Sequence, residues 1–477
     1  MSQENLPIQE GVIEMEHALG ILNEEDISVQ EDKSEISWTA DTTTAADEVN
    51  WKAFAAELTW ENMWTHRDWK SIGKHFLFAF STGFFFSAFD VFTDGWSGLN
   101  FIFGAYYVKN VPTPYDVSDS GNPLCKILHP ENDTQSVEHI QYQCFERDPI
   151  WGAVTLVFMF IPGLSADNIW RGLDKQVDKR IFLILRWLSL PFFPVMLIGL
   201  KLIGLFIPGP EMSKVLAAVN YIEGTRESTL QFCLQLFIVM SRKDRMPSKL
   251  QWATICASFL MINKAGVEAY LRHETPGKDI KARVKKTLSL LPMFMTANAF
   301  KLISGSLLAV TFTYWILLAY EAALLLWLSI KALSTREDRE KALYFRAFRL
   351  HPIAIIRARP AWGKWSFTEK ERMKQLLFGN VAWFLTTGIF LVIAMIVSLT
   401  RPNLSIPTIG FPNQNGTWNT WYKLSDRAIV SEAGPTMAFK ILVPMLFACG
   451  LSSLGLIYRE LLNSKETFDR EEDNVNA

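Results

Sequence analysis

Apolar residues run almost unbroken through 181–208, 290–333, 375–399 and 436–457, without the alternation of apolar and polar faces that a helix at a water boundary shows. Charge-poor runs of about 18 residues or more have the length of a membrane-crossing helix. The pattern predicts spans near 77–108, 150–172, 181–207, 215–240, 289–311, 313–333, 375–399 and 436–458. The fold class it implies is all-α: a polytopic transmembrane helical bundle over 71–460 with eight spans. Segment 250–271 is apolar as well, but as a full span it would carry the basic run KDIKARVKK (278–286) to the outer side. It therefore reads as re-entrant or buried in the bundle, where protein or water can satisfy its backbone.

Lys and Arg set the expected orientation. They gather at Arg67, Lys70 and Lys74, at Arg171 to Arg180, at Arg242, Lys243, Arg245 and Lys249, and at Lys278 to Lys286. By the positive-inside rule these segments and both termini face the cytosol, the natural setting being the plasma membrane. The loops 109–148 and 400–435 are poor in bases and hold the N-x-S/T sequons at Asn132, Asn403 and Asn415, so they read as outer loops and these asparagines as glycosylation candidates. The basic stretch 334–374 interleaves cations with aromatics, as in KALYFRAFRL, and reads as a cytosolic segment lying on anionic inner-leaflet lipid. Residues 1–70 form an acidic, Ser/Thr-rich cytosolic tail and 461–477 a shorter one. A net charge of −2 gives no reason to expect a nucleic-acid partner.

Cys125 and Cys144 share the first outer loop, where oxidation is expected, and a bridge there would close a loop of about 20 residues. Cys233, Cys256 and Cys449 fall in apolar segments and read as packing residues. The common metal, nucleotide and nucleophile-elbow motifs are absent, so neither an enzyme nor a cofactor is expected.

The chemistry lies in ionisable residues at membrane depth. Asp90 and Asp94, spaced i, i+4, share one face of the first span, with Ser87 and Ser97 nearby. A carboxylate at the centre of a bilayer costs about 2.5–3.5 kcal/mol on insertion scales, so a pair must meet water, a cation or a base. Glu223, Glu227, Gln231 and Gln235 repeat every fourth residue and form a polar stripe about 18 Å long on one side of a helix. Lys264 and Lys301 are candidate counter-charges on the same route, and Asp167, Arg186, Lys201, Glu268, Glu321 and Lys440 also fall in or beside apolar segments. The plain alternative is a set of salt bridges that hold the bundle together.

FDVFTDGWSG (89–98), WGAVTLVFMFIPG (151–163), EGTRESTLQFCLQLF (223–237) and WATICASFLMINKAGVEAYL (252–271) together resemble the XK-related proteins. TANAFKLISGSLLAVTFTYWILL (296–318) is a looser match, and the resemblance covers about residues 80–335. It implies eight spans with two partly inserted helices, and energy-independent scrambling of phospholipids, including phosphatidylserine exposure in apoptosis, switched by caspase cleavage of a cytosolic tail. Carried over by residue, it makes Asp90, Asp94, Glu223 and Glu227 the acidic path positions and Lys301 the basic one. The long first outer loop departs from that family's short turn. Carboxylates can meet a headgroup ammonium and lysines its phosphate, so membrane phospholipid is the expected partner. Two other readings stay open: an ion or small-solute transporter, and a non-transporting subunit that holds a single-span partner or a second copy of itself.

Overall fold

The computed structural model describes residue 80 and residues 84–112, 125–127, 139–165, 193–206, 215–216, 219–220, 223–243, 246–271, 280–316, 318–320, 322–323, 326, 369–407 and 421–463. Tail 1–70, most of 334–374 and of 461–477, and Asn132, Asn415, Asp167, Arg186 and Glu321 lie outside them.

The described chain is all-α in its body. Helix α1 (Phe85–Phe103) turns its apolar and polar faces opposite to those of a helix in water. Phe85, Phe89, Phe92, Trp96, Leu99 and Phe103 are exposed, while Ser87, Asp90, Thr93, Asp94 and Ser97 are buried. That inversion suits a helix whose solvent is hydrocarbon, where apolar side chains need no burial and polar ones do. Gly104 ends α1 with φ 94°, and a Cβ there would lie 2.4 Å from the Phe145 ring, so only glycine fits.

Beyond Gly104 come β1 (Ala105–Pro112), β2 (Cys125–Ile127) and β3 (His139–Glu146), an antiparallel sheet in the order β1-β3-β2. This corrects the plain loop expected at 109–148, because backbone that leaves a helix needs partners and the sheet provides them. Cys144 is disulfide-bonded; Cys233, Cys256 and Cys449 are free, and Cys125 faces Cys144 in the strand register, which leaves it as the partner. Helix α2 (Pro149–Ser165) then returns against α1. A Cβ on Gly152 would sit 2.7 Å from the Gly98 carbonyl oxygen, so the two backbones meet through glycine, as small residues allow in membrane bundles.

The next helices are α3 (Phe193–Phe206), α4 (Thr229–Ser241) after a π-turn at Glu223–Ser228, and α5 (Lys249–Leu271). Then follow α6 (Ile280–Asn298), a second π-turn at Ala299–Ile303, α7 (Ser304–Phe312), α8 (Glu369–Thr400) and α9 (Met437–Asn463). Thr313, with φ 54°, ends α7 at the boundary expected between 289–311 and 313–333. Three helical stretches of the described residues are long and apolar enough to cross a membrane, Val284–Phe312, Gly379–Thr400 and Met437–Asn463, against eight expected spans. Apolar stretches Pro149–Phe160, Pro194–Phe206 and Thr229–Ser241 are shorter.

One expected orientation is overturned. The Met246 amide donates to Val108 of β1, Arg242 pairs with Asp148 at 2.9 Å and Glu146 at 3.6 Å, and Met240 and Ser241 carbonyls accept from Ala428 and Arg427. The basic stretch 242–249 thus sits at the same end as the loops 109–148 and 400–435, not across from them. The positive-inside rule counts charges without their partners, and Arg242 has acids to neutralise it. Helix α5 begins at that end. Its other end, Val267, Tyr270 and Leu271, packs with Met373 near the start of α8 and Ile457 near the end of α9. At 23 residues, about 34 Å, α5 runs the length of the bundle rather than turning back. It reads as re-entrant only while 242–249 is held on the inner side; with that stretch beside the outer loops, a full-length α5 carries the chain to the opposite end ahead of α6.

Loop 400–435 folds as the pairs β4 (Ser405–Pro407) with β5 (Trp421–Lys423) and β6 (Val430–Ser431) with β7 (Gly434–Pro435). Leu424, Ile429 and Val430 plug into the core formed by α7, α8 and α9. Tyr422 donates to the Thr311 carbonyl at 2.6 Å with the Arg427 guanidinium 3.8 Å above its ring, and burial pushes its phenol up to about 12. Asn403 is exposed, open to modification. Sidedness can be checked directly: Lys243→Cys and Glu432→Cys should react with a membrane-impermeant maleimide from one side, and Leu462→Cys only from the other. Labelling of Lys243→Cys together with Leu462→Cys would reverse the arrangement.

Candidate functional site

The first π-turn shapes the site. A π-turn places one more residue in the ring than an α-turn, and such bulges recur where side chains must be re-aimed. Here Glu223 and Glu227 are both fully buried, with Glu223 reaching Ser87 of α1. The turn is held against α5 by Gly224, where a Cβ would lie 2.4 Å from that of Ala265 and 3.0 Å from the Met261 carbonyl oxygen. Thr229 donates its hydroxyl back to the Gly224 carbonyl at 3.0 Å.

Helices α1 to α5 and the turn converge on a polar column. Ser87 donates to Glu223 at 3.0 Å, and Lys201 of α3 donates to both Ser87 and Glu223, lying 2.5 Å from the Glu223 carboxylate. Asp90 accepts from Ser228 on one oxygen and from Ser258 of α5 on the other, each at 3.0 Å. Gln231 donates to the Thr155 carbonyl of α2 at 2.7 Å. Among the described residues, both oxygens of Asp94, both of Glu227 and both polar atoms of Gln235 have no hydrogen-bond partner. Buried polar groups are nearly always paired, so this much unmet capacity among the described residues makes the column the candidate site. Among the described residues, four fully buried carboxylates, Asp90, Asp94, Glu223 and Glu227, gather around one fully engaged ammonium, that of Lys201.

The column differs at its two ends. Toward the end away from the loops it continues to Lys264, 3.6 Å from Glu268, which accepts from Asn220 at 3.0 Å. The Lys264 ammonium nitrogen is still buried, while Glu268 is 34% exposed, so the column reaches the surface at Glu268. Toward the loops it stops under an apolar layer of Phe101, Leu234 and Ile238, flanked by Trp151, Val154 and Phe158. Above that layer both loops grip the end of α4 through the contacts described above.

Of the residues expected on the route, Asp90, Asp94, Glu223, Glu227, Gln231 and Gln235 are brought together, with Lys264 at the open end. Lys301 is not among them: it lies in a cleft between α6, α8 and α9, on the other side of α5. Lys440 is exposed. Lys201 takes the part assigned to Lys301, and Ser228 and Ser258 complete the Asp90 site. The signal for Lys201 was present, one cation inside FPVMLIGLKLIGLF, but nothing in one sequence pairs it with Glu223. Among the described residues no group of three or more His, Cys, Asp or Glu is arranged to hold a metal ion.

No protein-family model matches the chain, and no curated protein matches it.

Proposed function

We propose that the polar column is a route by which phospholipid headgroups cross the apolar layer, and that the chain is an XK-related type of plasma-membrane lipid scramblase rather than an enzyme. The carrying observation is the unpartnered set Asp94 of α1, Glu227 of the first π-turn and Gln235 of α4, buried behind α1, whose other face is exposed and aromatic. A headgroup could exchange its hydration for those groups while its tails stay in hydrocarbon. A series of weak polar sites suits passage better than one strong site. In this reading α1, α2, α4 and α5 cross the membrane beside the three longer apolar helices, and the open end by Lys264 and Glu268 faces the cytosol.

The surplus of carboxylates favours one second reading, a route for an inorganic cation. The intact chain in liposomes separates the two. A fluorescent phosphatidylcholine analogue should equilibrate between leaflets without nucleotide, while potassium stays trapped. Potassium flux without lipid exchange would move the assignment to a cation pathway, and neither would defeat both.

A further inference from the structure

The unmet capacity of the column has a sign. Among the described residues its unpartnered acceptors are both oxygens of Asp94, both of Glu227, and one oxygen each on Glu223, Gln231 and Gln235. Ionised carboxylates and amide carbonyl oxygens accept hydrogen bonds and cannot donate them. Against them stand the unpartnered Gln235 amide nitrogen and the hydroxyl of Thr254, one turn from Ser258 on α5, which can itself accept. The Gln231 nitrogen already donates to Thr155, and the Lys201 ammonium to Glu223 and Ser87. Lys264 adds a cation at the Glu268 end, where Asn220 has an unpartnered oxygen of its own. The lining is acceptor-rich and donor-poor.

A guest that fits such a lining brings positive charge and several N–H donors together. A primary ammonium does so, with all its donors on one compact cation. A quaternary ammonium carries the same charge with no donor, and proteins hold it with aromatic faces. The α1 aromatics Phe85, Phe89, Phe92 and Trp96 are exposed, on the face away from the column. A metal ion needs several ligands converging on one point, and no group of three or more acids, His or Cys among the described residues is so arranged. The acceptors are instead spread out, since Glu227 to Gln235 covers about 12 Å of helical rise. We propose that the column selects headgroups that end in a primary ammonium over choline, with Asp94, Glu227 and Gln235 as the accepting groups. Ethanolamine is the best fit, because the serine headgroup adds a carboxylate that the acid lining repels. The ammonium preference rests on these atoms; its application to lipid rests on the scrambling route proposed above.

The test uses the full chain in liposomes and lipids carrying a fluorophore on one acyl chain, with ethanolamine, N-methylethanolamine, N,N-dimethylethanolamine or choline as headgroup. Charge stays constant along this series while the N–H donors fall step by step to none. Exchange should slow at each step, by about tenfold from end to end. Equal rates, or choline faster, would overturn the preference and leave the route standing. A second measurement needs no transport: the melting of the full chain in detergent with ethanolammonium, choline or potassium chloride at one ionic strength. Ethanolammonium should raise the melting temperature, choline and potassium should not, and Asp94→Asn with Glu227→Gln should abolish the rise. Such protection without exchange of any lipid would defeat the scrambling route and keep the column as a site for a free amine. Equal protection by choline or potassium would overturn the ammonium site itself.

Discussion

Asp94→Asn together with Glu227→Gln should reduce lipid exchange in liposomes by more than tenfold while the yield of folded protein holds. Among the described residues neither carboxyl group has a partner, so the substitutions break no internal bond there and replace two buried acids that cost stability. The amides keep nearly the same size. What disappears is the charged half of each contact to a passing headgroup, and hydrogen bonds to charged groups contribute about 1.5–3 kcal/mol each. One such loss is about tenfold or more in rate when it falls on the limiting step. Asp90→Asn serves as a contrast, because Asp90 is held by Ser228 and Ser258 and its change disturbs packing as well. A double variant with wild-type exchange would make these acids structural. One that fails to fold would show that they have partners the described residues do not reveal.

Lys201→Met should be the most damaging single change to stability. It leaves Glu223 in a dry site with only the Ser87 hydroxyl for company. Breaking a buried pair by removing one member costs about 3–5 kcal/mol, a large part of the stability of most folds. The expected result is a sharp fall in monodisperse protein on size exclusion and a lower melting temperature. Glu223→Gln added to Lys201→Met should recover most of the loss, because the stranded charge is gone. If Lys201→Met melts like the wild type, the pair carries no structural weight and Lys201 is not the counter-charge of the column.

Much of this column was legible in one dimension. The i, i+4 repeats at 90/94 and 223–235 need only helix periodicity and the cost of charge in hydrocarbon to stand out. The Cys125–Cys144 pairing needed only two cysteines in one outward loop. Pairings between distant segments were not legible. Lys201 meets Glu223 because α3 packs there, and no local pattern distinguishes it from Lys301, an equally isolated cation in an equally apolar run. The direction of α4 escaped for a related reason. Counting bases without their partners puts 242–249 on the inner side and so makes 250–271 turn back, yet Arg242 is paired with Asp148 and Glu146 beside the outer loops and α5 runs the length of the bundle. The sheet at 105–146 was missed because its strands lie inside what had been set aside as a loop.

The grip on the end of α4 has a mechanical consequence. One lobe holds it through Val108, Glu146 and Asp148, and the other through Arg427 and Ala428, within a span of seven residues from Met240 to Met246. Two jaws on one short handle cannot release independently: lifting either lobe drags the helix end against the other. Opening on that side is therefore a concerted event that must break both sets of contacts together, and an antibody that pries at one lobe will be felt at both.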